Sequence, residues 1–459
     1  MGNKRIKTGG QNGVSGSEKK FSFHCQDLGI DKSMTVFIPQ RYGSSQKYEK
    51  TKRATRLTIF LRNKLTDKTV SIRVILMKKS VSLSSVNIAL GTDIMKNIRL
   101  SLSKLICGLL FFTTGICTAQ TVPDFVMPQA EEAFIRYLNW KGGEETLVFP
   151  ILTDVHTGWY SDRGEAYRHL GYMAATDRLF GYDFMANLGD IGLNGGEARN
   201  SSEAADKVVM QTRQQMELFP GVWIYTPGNH DWDGGAGRHY TSQFLSDAFQ
   251  KPSEQYSEGN LHIAEGKAYG YYDLPEMHVR IIFLNSQGTE TLGENYYTFD
   301  NEQLEWLIDV LKCTSKGTDI LTFSHYMPHP IGRWMSVKDA KRPTCEVLCH
   351  LLADFVNRRK GGELGLEWNF KRSKGRLVGL LCGDTHCNRH IKDDGVNYYI
   401  TQGLGFVDRG QMLPGQTHAD YDLNASLCFD VIALKLKSKQ VHSFRVGAGG
   451  KDYDLEFSY

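Results

Sequence analysis

The chain has 459 residues, of which 41% are hydrophobic and 23% are charged. This composition is close to that of an ordinary globular protein, and the length leaves room for two or three domains. The net charge of +3 conceals two unlike parts, because the chain after residue 119 has 33 basic and 45 acidic residues, which argues against a general affinity for nucleic acid.

The first 94 residues are a basic leader with 18 basic and 6 acidic residues. Scattered Lys and Arg, Ser-rich runs and few periodic segments predict that this leader is either disordered or absent from the mature protein, with synthesis starting at Met95. A small nucleic-acid-binding arm is a third alternative, because basic segments attract phosphate backbones. The leader has neither zinc-finger spacing nor a recognition-helix pattern to support it.

A secretory signal peptide is predicted over residues 95–119. In MKNIRLSLSKLICGLLFFTTGICTA, three basic residues precede an apolar run from Leu105 to Ile116, and small residues lead to Ala119. The run is short for a membrane span, and Ile precedes both Cys107 and Cys117, which argues against a lipoprotein signal. The sequence therefore predicts a periplasmic or secreted protein, cleaved near Ala119 and without a membrane span in its mature form.

Residues 120–144 are predicted to be an N-terminal linker, and residues 145–459 a single domain. Six cysteines follow Ala119, too few for a disulfide scaffold, and their pairing cannot be deduced from spacing. Two of them lie in CEVLCH (345–350), where the helical pattern favours buried small side chains over a metal cluster.

Short apolar runs that end in polar residues recur after residue 145. Helical patterns, with apolar residues three and four positions apart, separate them at 203–218, 301–312 and 346–359. This alternation predicts an α/β layered fold with a largely parallel strand order. Five of the six runs deliver Asp, Asn or His at their carboxyl end, where such folds bind ligands. The six predicted strands are 146–152, 183–188, 222–226, 279–285, 319–324 and 376–382.

The C-terminal tail has a different pattern. Residues 426–436 and 440–447 alternate apolar and polar side chains on either side of a Lys-Ser-Lys turn. This alternation predicts an antiparallel hairpin at the edge of a sheet.

The polar residues at the strand ends have the chemistry of metal ligands. Carboxylates, imidazoles and one amide suit divalent Mn, Fe or Zn, and seven such groups are too many for one tetrahedral site. They suit two metals that share a bridging carboxylate. Such a pair binds the attacking and leaving oxygens of a phosphoryl displacement, and it lowers the pKa of a bound water enough to supply hydroxide. The seven residues are Asp154, His156, Asp190, Asn229, His325, Asp384 and His386.

The order of these residues resembles the calcineurin-like metallophosphoesterase superfamily. From about Thr146 to Phe406 the chain has Asp-x-His, Gly-Asp, Gly-Asn-His-Asp, a single His and Gly-x-x-His, each after a predicted strand. The resemblance implies a four-layer α/β/β/α sandwich of two mixed sheets flanked by helices, with the C-terminal antiparallel hairpin. It also implies an enzyme that hydrolyses phosphate esters.

The resemblance further implies a role for each position. His230 would not be a ligand, and would instead stabilise the phosphoryl oxygens and protonate the leaving alkoxide. Asp231 would fix the tautomer and the orientation of that imidazole. The implied ligands are Asp154, His156 and His386 for the first metal, Asp190 as the bridge, and Asn229 and His325 for the second metal.

One position departs from the family pattern. The family usually has Gly-His-x-His, whereas this chain has GDTH, so Asp384 stands where a second-metal His is expected. As a ligand, Asp384 would make the second site harder and more anionic, favouring Mn, Fe or Mg over Zn. As a turn cap, it would leave the second site weak or empty, with nearby His390 as a possible substitute ligand.

Other residues near the motifs are weaker candidates for the substrate site, because single loop residues are more often solvated. Gly192, Gly195 and Gly196 are expected to let the loop after Asp190 turn close to the site, without forming a P-loop. The weaker candidates are Trp159, Tyr160, Arg163, Arg238, His239 and His329.

The sequence thus predicts an exported, metal-dependent hydrolase of phosphate mono- or diesters, whose partner is its substrate and not a nucleic acid. Surrounding loops would decide between the two substrate classes. One alternative is a catalytically impaired metal-binding protein of the same fold, on account of Asp384, although His230 and Asp231 are both present. Another alternative is a nucleic-acid-associated protein that acts through the basic leader.

Overall fold

The computed structural model divides the chain into two units, Met1–Thr118 and Ala119–Tyr459. It describes the backbone of four strands in the first unit and, in the second unit, residues 122–157, 165–193, 198–232, 240–287, 298–332, 343–404 and 426–459. The predicted signal peptide lies outside the described residues.

The four strands of the first unit pair in chain order as an antiparallel sheet. Their sequences are rich in Thr, Val, Ile and Phe, residues that favour extended backbone. The leader was predicted to be either disordered or absent from the mature protein. The sheet is not what a disordered leader would show, whereas the absence of the leader from the mature protein stays a prediction. The strands are β1 (Glu18–His24), β2 (Ser33–Pro39), β3 (Thr55–Arg62) and β4 (Thr69–Leu76).

The second unit contains a six-stranded mixed sheet. Its parallel part is formed by β5 (Thr146–Leu152), β6 (Met185–Asn187) and β7 (Trp223–Tyr225). The C-terminal hairpin, β17 (Cys428–Lys435) and β18 (Gln440–Gly447), joins this part because β17 pairs antiparallel with β5. The predicted hairpin is therefore confirmed, and a short strand, β19 (Leu455–Ser458), extends it at the outer edge.

A second, seven-stranded sheet has a parallel centre and antiparallel edges. The centre consists of β10 (Val279–Phe283), β11 (Asp319–Phe323), β14 (Arg376–Cys382) and β16 (Val396–Ile400). The edge strands are β8 (Leu261–Ile263) and β9 (Gly270–Leu274) on one side and β15 (Arg389–Asp393) on the other. A separate hairpin is formed by β12 (Lys360–Glu363) and β13 (Leu366–Asn369).

Helices cover the outer face of each sheet. Of the helices in the described parts of the chain, five pack apolar residues against the six-stranded sheet and two pack against the seven-stranded sheet. Side-chain caps mark where two of the predicted helices begin, because Ser201 and Asp300 each accept a backbone N–H of the first turn. The helices are α1 (Val126–Lys141), α2 (Arg168–Ala175), α3 (Asp177–Phe180), α4 (Ser202–Met216), α5 (Ser242–Phe249), α6 (Asn301–Cys313) and α7 (Pro343–Val356).

The two sheets face each other across a third apolar layer. Strand β5 shows how its sequence serves two layers, because Leu147, Phe149 and Ile151 lie between the sheets while Val148 and Leu152 face the helices. Successive strand residues point to opposite faces, so an unbroken apolar run is what a strand buried on both sides needs. The four-layer α/β/β/α sandwich implied by the resemblance is confirmed.

The structure differs from the predicted linker over residues 120–144, where it has helix α1. Val126, Ala130, Ala133 and Tyr137 are buried along one face of α1 and pack in the core. Pro128 is compatible with this helix because it lies in the first turn, where backbone N–H groups have no helical partner. The segment is thus part of the sandwich.

Two further findings concern the described residues alone. None of their helices combines the length and the hydropathy that a membrane crossing needs. No disulfide joins the six cysteines after Ala119, and of the two cysteines in α7 that were predicted to be buried, Cys345 is buried and Cys349 is half-buried.

Candidate metal centre

The predicted ligands lie at the carboxyl ends of strands from both sheets. Asp154 and His156 follow β5, Asp190 follows β6, and their turns are joined by backbone hydrogen bonds. The N–H of Asp154 donates to Gly189 O at 3.0 Å, and the N–H of His156 donates to Asp190 O at 2.9 Å. On the seven-stranded sheet, Gly383 N–H donates to His325 O at 2.9 Å. These bonds align the loops so that their side chains meet.

Five of the seven predicted ligands have a left-handed backbone. For a residue other than Gly this conformation costs about 1–2 kcal/mol, and such strain concentrates at functional sites. The same pattern occurs twice. Positive φ angles are found at both polar residues of the turn Asp154-Val155-His156 after β5 and again at both polar residues of the turn Asp384-Thr385-His386 after β14. The φ angles are 56° for Asp154, 49° for His156, 55° for Asp190, 65° for Asp384 and 48° for His386.

A first group of ligand atoms is formed by Asp154, His156 and His386, which lie within 4.8 Å of one another and are buried. The Asp154 Oδ1 atom is 3.8 Å from His156 Nε2 and 3.5 Å from His386 Nε2. The two imidazole rings are nearly parallel, with centroids 5.3 Å apart. These are the three residues expected to hold the first metal.

A second group is formed by Asp154, Asp190 and His325. The His325 Nε2 atom lies 3.3 Å from Asp190 Oδ2 and 3.2 Å from Asn229 Oδ1. Its Nδ1 is 2.6 Å from the carbonyl oxygen of Leu188, so Nδ1 carries the proton that it donates and Nε2 is left for a ligand.

Asp384 belongs to this second group in space. Its Oδ1 atom is 3.6 Å from His325 Nε2. His390, the possible substitute, lies elsewhere, since its Nε2 is 3.1 Å from Asn397 Oδ1 and its ring stacks on Phe457. The structure therefore brings Asp384, and not His390, next to His325.

Two carboxylates stand between the groups. Asp154 is a member of both groups, and Asp190 Oδ2 lies 3.7 Å from His156 and 3.3 Å from His325. The other Asp190 oxygen accepts the backbone N–H of His230 at 2.8 Å. Asp190 thus lies between the two groups, and Asp154 is a second carboxylate within reach of both.

The electrostatics of the centre are those of buried negative charge. Burial raises the pKa of Asp154 well above its ordinary value, and the neighbouring Asp190 and Asp384 add to this effect. Burial would also raise the pKa of Asp190, but the imidazoles of His325 and His230 hold it well below its usual range. Burial opposes protonation of His325, yet the surrounding carboxylates raise its pKa well above 6.5. The carboxylates therefore favour positive charge at His325, and a cation bound at Nε2 would supply it in place of a second proton.

The residues fit a pair of divalent cations. Among the described residues, Asp154 Oδ1 and Asp384 Oδ2 are buried and have no hydrogen-bond partner, a costly state for a carboxylate oxygen. The Asp154 oxygen belongs to a residue of both groups, and Asp384 lies beside His325 of the second group. Carboxylate, imidazole and amide donors are a set that suits Mn, Fe or Zn.

His230 lies at the edge of the centre. Its Nε2 atom is 4.0 Å from Asp190 Oδ2 and its side chain is 23% exposed, whereas His156 and His325 are almost fully buried. Its ring meets that of His156 edge-on, with centroids 5.2 Å apart. His230 is therefore the imidazole of this cluster that a molecule arriving from solvent can reach.

The expected role of Asp231 needs correction. Its carboxylate accepts the backbone N–H groups of Asp190, Ile191 and Gly228, at 2.8–2.9 Å, and the hydroxyl of Tyr225 at 2.8 Å. These four donors occupy both oxygens of a fully buried side chain. Asp231 thus holds the loop of Asp190 and does not orient the His230 imidazole.

Close backbone approach also shapes the centre, at two glycines without a predicted role and at Gly192, whose role was predicted. A Cβ atom on Gly228 would collide with the Asp190 carboxylate. One on Gly403 would lie 2.6 Å from Asp154 Cβ and 2.8 Å from His386 Nδ1. Gly192, with φ of 99°, packs on the backbone of His156, as its expected role near the site requires. Gly228 lies two residues after the predicted strand 222–226, a position that could have indicated close backbone approach, whereas Gly403 follows β16, which was not predicted.

The weaker candidates separate into two sets. His329 lies outside the two ligand groups, because its Nε2 is 3.1 Å from Asp393 and its ring stacks on Tyr398. The predicted positions that lie outside the described residues are Trp159, Tyr160, Arg163, Gly195, Gly196, Arg238 and His239.

Solved structures with similarity to this chain share little sequence with it. A dimetal phosphatase from Danio rerio has 15% identity and a TM-score of 0.43, over 68% of this chain and 99% of its own. GAP50, described as the anchor in the inner membrane complex of Plasmodium, has 13% identity and a TM-score of 0.39, over 68% and 89%. A predicted phosphoesterase from Streptococcus pneumoniae has 9% identity and a TM-score of 0.26, over 69% and 99%.

No curated protein sequence matches the chain significantly. The sequence profile described as calcineurin-like phosphoesterase matches residues 149–388. This span is more than half of the chain and includes every member of both ligand groups. The chain therefore belongs to the calcineurin-like phosphoesterase family and is a metallophosphoesterase, a hydrolase of phosphoric esters.

Proposed function

We propose that this phosphoesterase is an exported hydrolase of phosphate mono- or diesters with a binuclear metal centre. The observation that carries the proposal is the meeting of two buried ligand groups, one built around Asp154, His156 and His386 and the other around Asp190 and His325. Export rests on the signal-peptide pattern of residues 95–119.

In this proposal the ligands divide as the family resemblance implies. Asp190 would bridge the two cations, and Asn229 would contribute a neutral oxygen beside His325, where a further carboxylate would add negative charge. When bound, two divalent ions lower the pKa of a water molecule so that it supplies hydroxide near neutral pH, and they neutralise the phosphoryl oxygens. The implied ligands of the first ion are Asp154, His156 and His386.

His230 is the proposed general acid. In hydrolysis, a bond forms between phosphorus and the attacking oxygen while the bond from phosphorus to the ester oxygen breaks, so the leaving alkoxide needs a proton. The partial exposure of His230 beside Asp190 supports its contact with substrate. An imidazolium there donates that proton and stabilises phosphoryl oxygens.

Asp384 is the proposed last ligand of the second ion, supported by its distance of 3.6 Å from His325. A carboxylate in place of an imidazole makes this site harder and favours Mn or Fe over Zn. The competing proposal, a metal-binding protein of the same fold with impaired catalysis, rests on the same substitution.

One experiment separates the two proposals. The purified mature chain is subjected to elemental analysis and then assayed on an aryl phosphate and an aryl phosphodiester, with and without added Mn²⁺. Two metal equivalents and metal-dependent hydrolysis are expected, and the ratio of the two activities gives the ester class. Metal binding without hydrolysis of either ester would favour the impaired protein.

Export is tested separately by sequencing the N-terminus of the protein isolated from its natural host. A start at Gln120 is expected, and it would also eliminate action through the basic leader. A start at Met1 would contradict export by this signal.

A further inference from the structure

The segment that follows β16 lies directly against the first ligand group. Thr401 N–H donates to Cys382 O at 2.9 Å and Leu404 N–H donates to Thr153 O at 3.2 Å, so the segment bridges the strands that carry both Asp-x-His turns. Between these two anchors, Gly403 has no room for a side chain against Asp154 and His386. A shift of this segment would therefore move two ligands of the first ion.

A buried carboxylate from the opposite sheet holds this segment. The Thr401 hydroxyl donates to Asp430 Oδ2 at 2.6 Å, and the Tyr399 hydroxyl donates to the same oxygen at 2.7 Å. Asp430 is on β17 of the six-stranded sheet, whereas Tyr399 is on β16 of the seven-stranded sheet and Thr401 follows it. These hydrogen bonds therefore join the two sheets just below the ligand loops.

Asp430 is fixed in turn by an ion pair. Arg445 stands opposite it on β18 and donates from Nε to Oδ1 at 2.6 Å and from Nη2 to Oδ2 at 3.2 Å. Both side chains are fully buried in the layer between the sheets. Burial acts to raise the pKa of Asp430, but Arg445 holds it below its ordinary value, so the carboxylate stays ionised.

The Asp430–Arg445 ion pair is charged, yet it lies in the mainly apolar layer between the sheets. The layer between the sheets is largely apolar, with Ile432, Leu434 and Val441 on the same faces of β17 and β18. The Ser443 hydroxyl, 2.9 Å from that of Tyr399, is a further polar group there. A buried ion pair contributes little net stability, and its best use is to select one arrangement among several packings of similar energy. Here it selects the arrangement in which Thr401 reaches Asp430.

We propose that Thr401 and Asp430 are positioning residues for the first metal ion, acting through the Thr401–Leu404 segment and Gly403 on Asp154 and His386. The proposal rests on the binuclear centre proposed above. Neither residue contacts the reacting atoms, and their effect is to hold the first ligand group at the separation that the ion requires. Partners of this kind typically change metal affinity by 10–100-fold when removed.

Thr401→Val is the central variant, because it keeps the shape of the side chain and removes only the hydroxyl. Asp430 then keeps its bonds to Arg445 and Tyr399, so the fold is expected to be retained. Thr401→Ser restores the hydroxyl. Thr176→Val is the matched control, since the Thr176 hydroxyl is also buried and donates to Met173 O at 2.7 Å, within the helical layer.

The measurement is calorimetric titration of each chelator-treated, full-length protein with Mn²⁺, together with its thermal unfolding. One of the two Mn²⁺ binding steps is expected to weaken about tenfold or more in Thr401→Val and to recover in Thr401→Ser. Thr176→Val is expected to lower the unfolding temperature and to leave both binding steps unchanged. Gly403→Ala, which intrudes directly on Asp154, is expected to weaken the same step as Thr401→Val.

Three outcomes would overturn the proposal. If Thr401→Val binds Mn²⁺ as the wild type does, the hydroxyl does not position the ligands. If Thr176→Val weakens Mn²⁺ binding equally, the effect is one of general stability. If the wild-type chain binds no Mn²⁺, the binuclear centre and this proposal both fail, whereas the first two outcomes leave the binuclear centre intact.

Discussion

The carboxylate of Asp231 accepts a hydrogen bond from the backbone N–H of Asp190 at 2.9 Å. Asp231 is adjacent in sequence to the proposed acid His230, yet its bonds run to the loop that presents the proposed bridging ligand. We therefore expect Asp231→Asn to lose metal occupancy and stability, because one amide oxygen cannot replace two carboxylate oxygens that serve four donors. Unsatisfied buried partners cost about 1–3 kcal/mol each.

The measurements for Asp231→Asn are metal content and urea-induced unfolding. A variant with full metal content, normal stability and a displaced pH profile of turnover would instead support the role of orienting His230.

His230→Asn is expected to keep both metal equivalents, because His230 is not among the two ligand groups. Its turnover should fall by about 100-fold or more, the range for loss of a general acid. The deficit should grow as the pKa of the leaving alcohol rises, since poor leaving groups depend most on protonation. A series of aryl and alkyl phosphates checks this dependence, and an equal deficit across the series would argue against the acid role.

Asp384→His tests how the second site selects its metal. Replacing a carboxylate with an imidazole should raise the affinity for Zn²⁺ relative to Mn²⁺, because nitrogen ligands suit the softer ion. Competition titrations with the two ions measure the ratio. Asp393→His is the control, since Asp393 lies outside both ligand groups with a side chain that is 63% exposed. An unchanged ratio in Asp384→His would mean that Asp384 does not bind the metal.

Asp183 makes stability depend on pH. It accepts the Val148 N–H at 2.8 Å, and its burial raises the pKa of its carboxyl from 3.8 to about 6. The folded state therefore retains the proton longer than the unfolded state, and this contribution to stability is fully present below pH 3.8 and lost as pH rises through about 6. We expect Asp183→Asn, which keeps an acceptor but cannot ionise, to avoid this loss.

The comparison is the free energy of unfolding of the wild type and of Asp183→Asn at pH 4 and pH 7. The variant should gain on the order of 2–3 kcal/mol relative to the wild type between these pH values. An equal pH dependence of the two proteins would mean that Asp183 ionises normally in the folded state.

The sequence was sufficient to predict those strands and site residues whose position depends on a single physical pattern. Strands β5 and β14 begin and end where the apolar runs do, because a strand buried on both faces needs unbroken apolar sequence. The meeting of the proposed ligand residues was predictable because parallel strands carry their carboxyl ends to one edge of a sheet. Asp394-Gly395 between β15 and β16, where both residues have positive φ, is a favoured hairpin turn that the sequence also contains.

Other features depend on partners that are distant in the sequence. The donors to Asp231 are mostly backbone groups, which carry no residue-specific signal. Leu364 adopts a φ of 52° in the turn between β12 and β13, a conformation that its side chain does not favour and that no local pattern predicts. Gly403 is constrained by side chains more than 200 positions away as well as by nearby ones.

The division of the proposed ligands between two sheets has a consequence for how the protein matures. Neither sheet alone offers a complete binding site, since Asp190 and Asn229 come from one and His325 and Asp384 from the other. Ion capture should therefore be a late event in folding, after the sheets have docked. By the same reasoning, a chain that has bound its metals is one in which the two sheets have docked correctly.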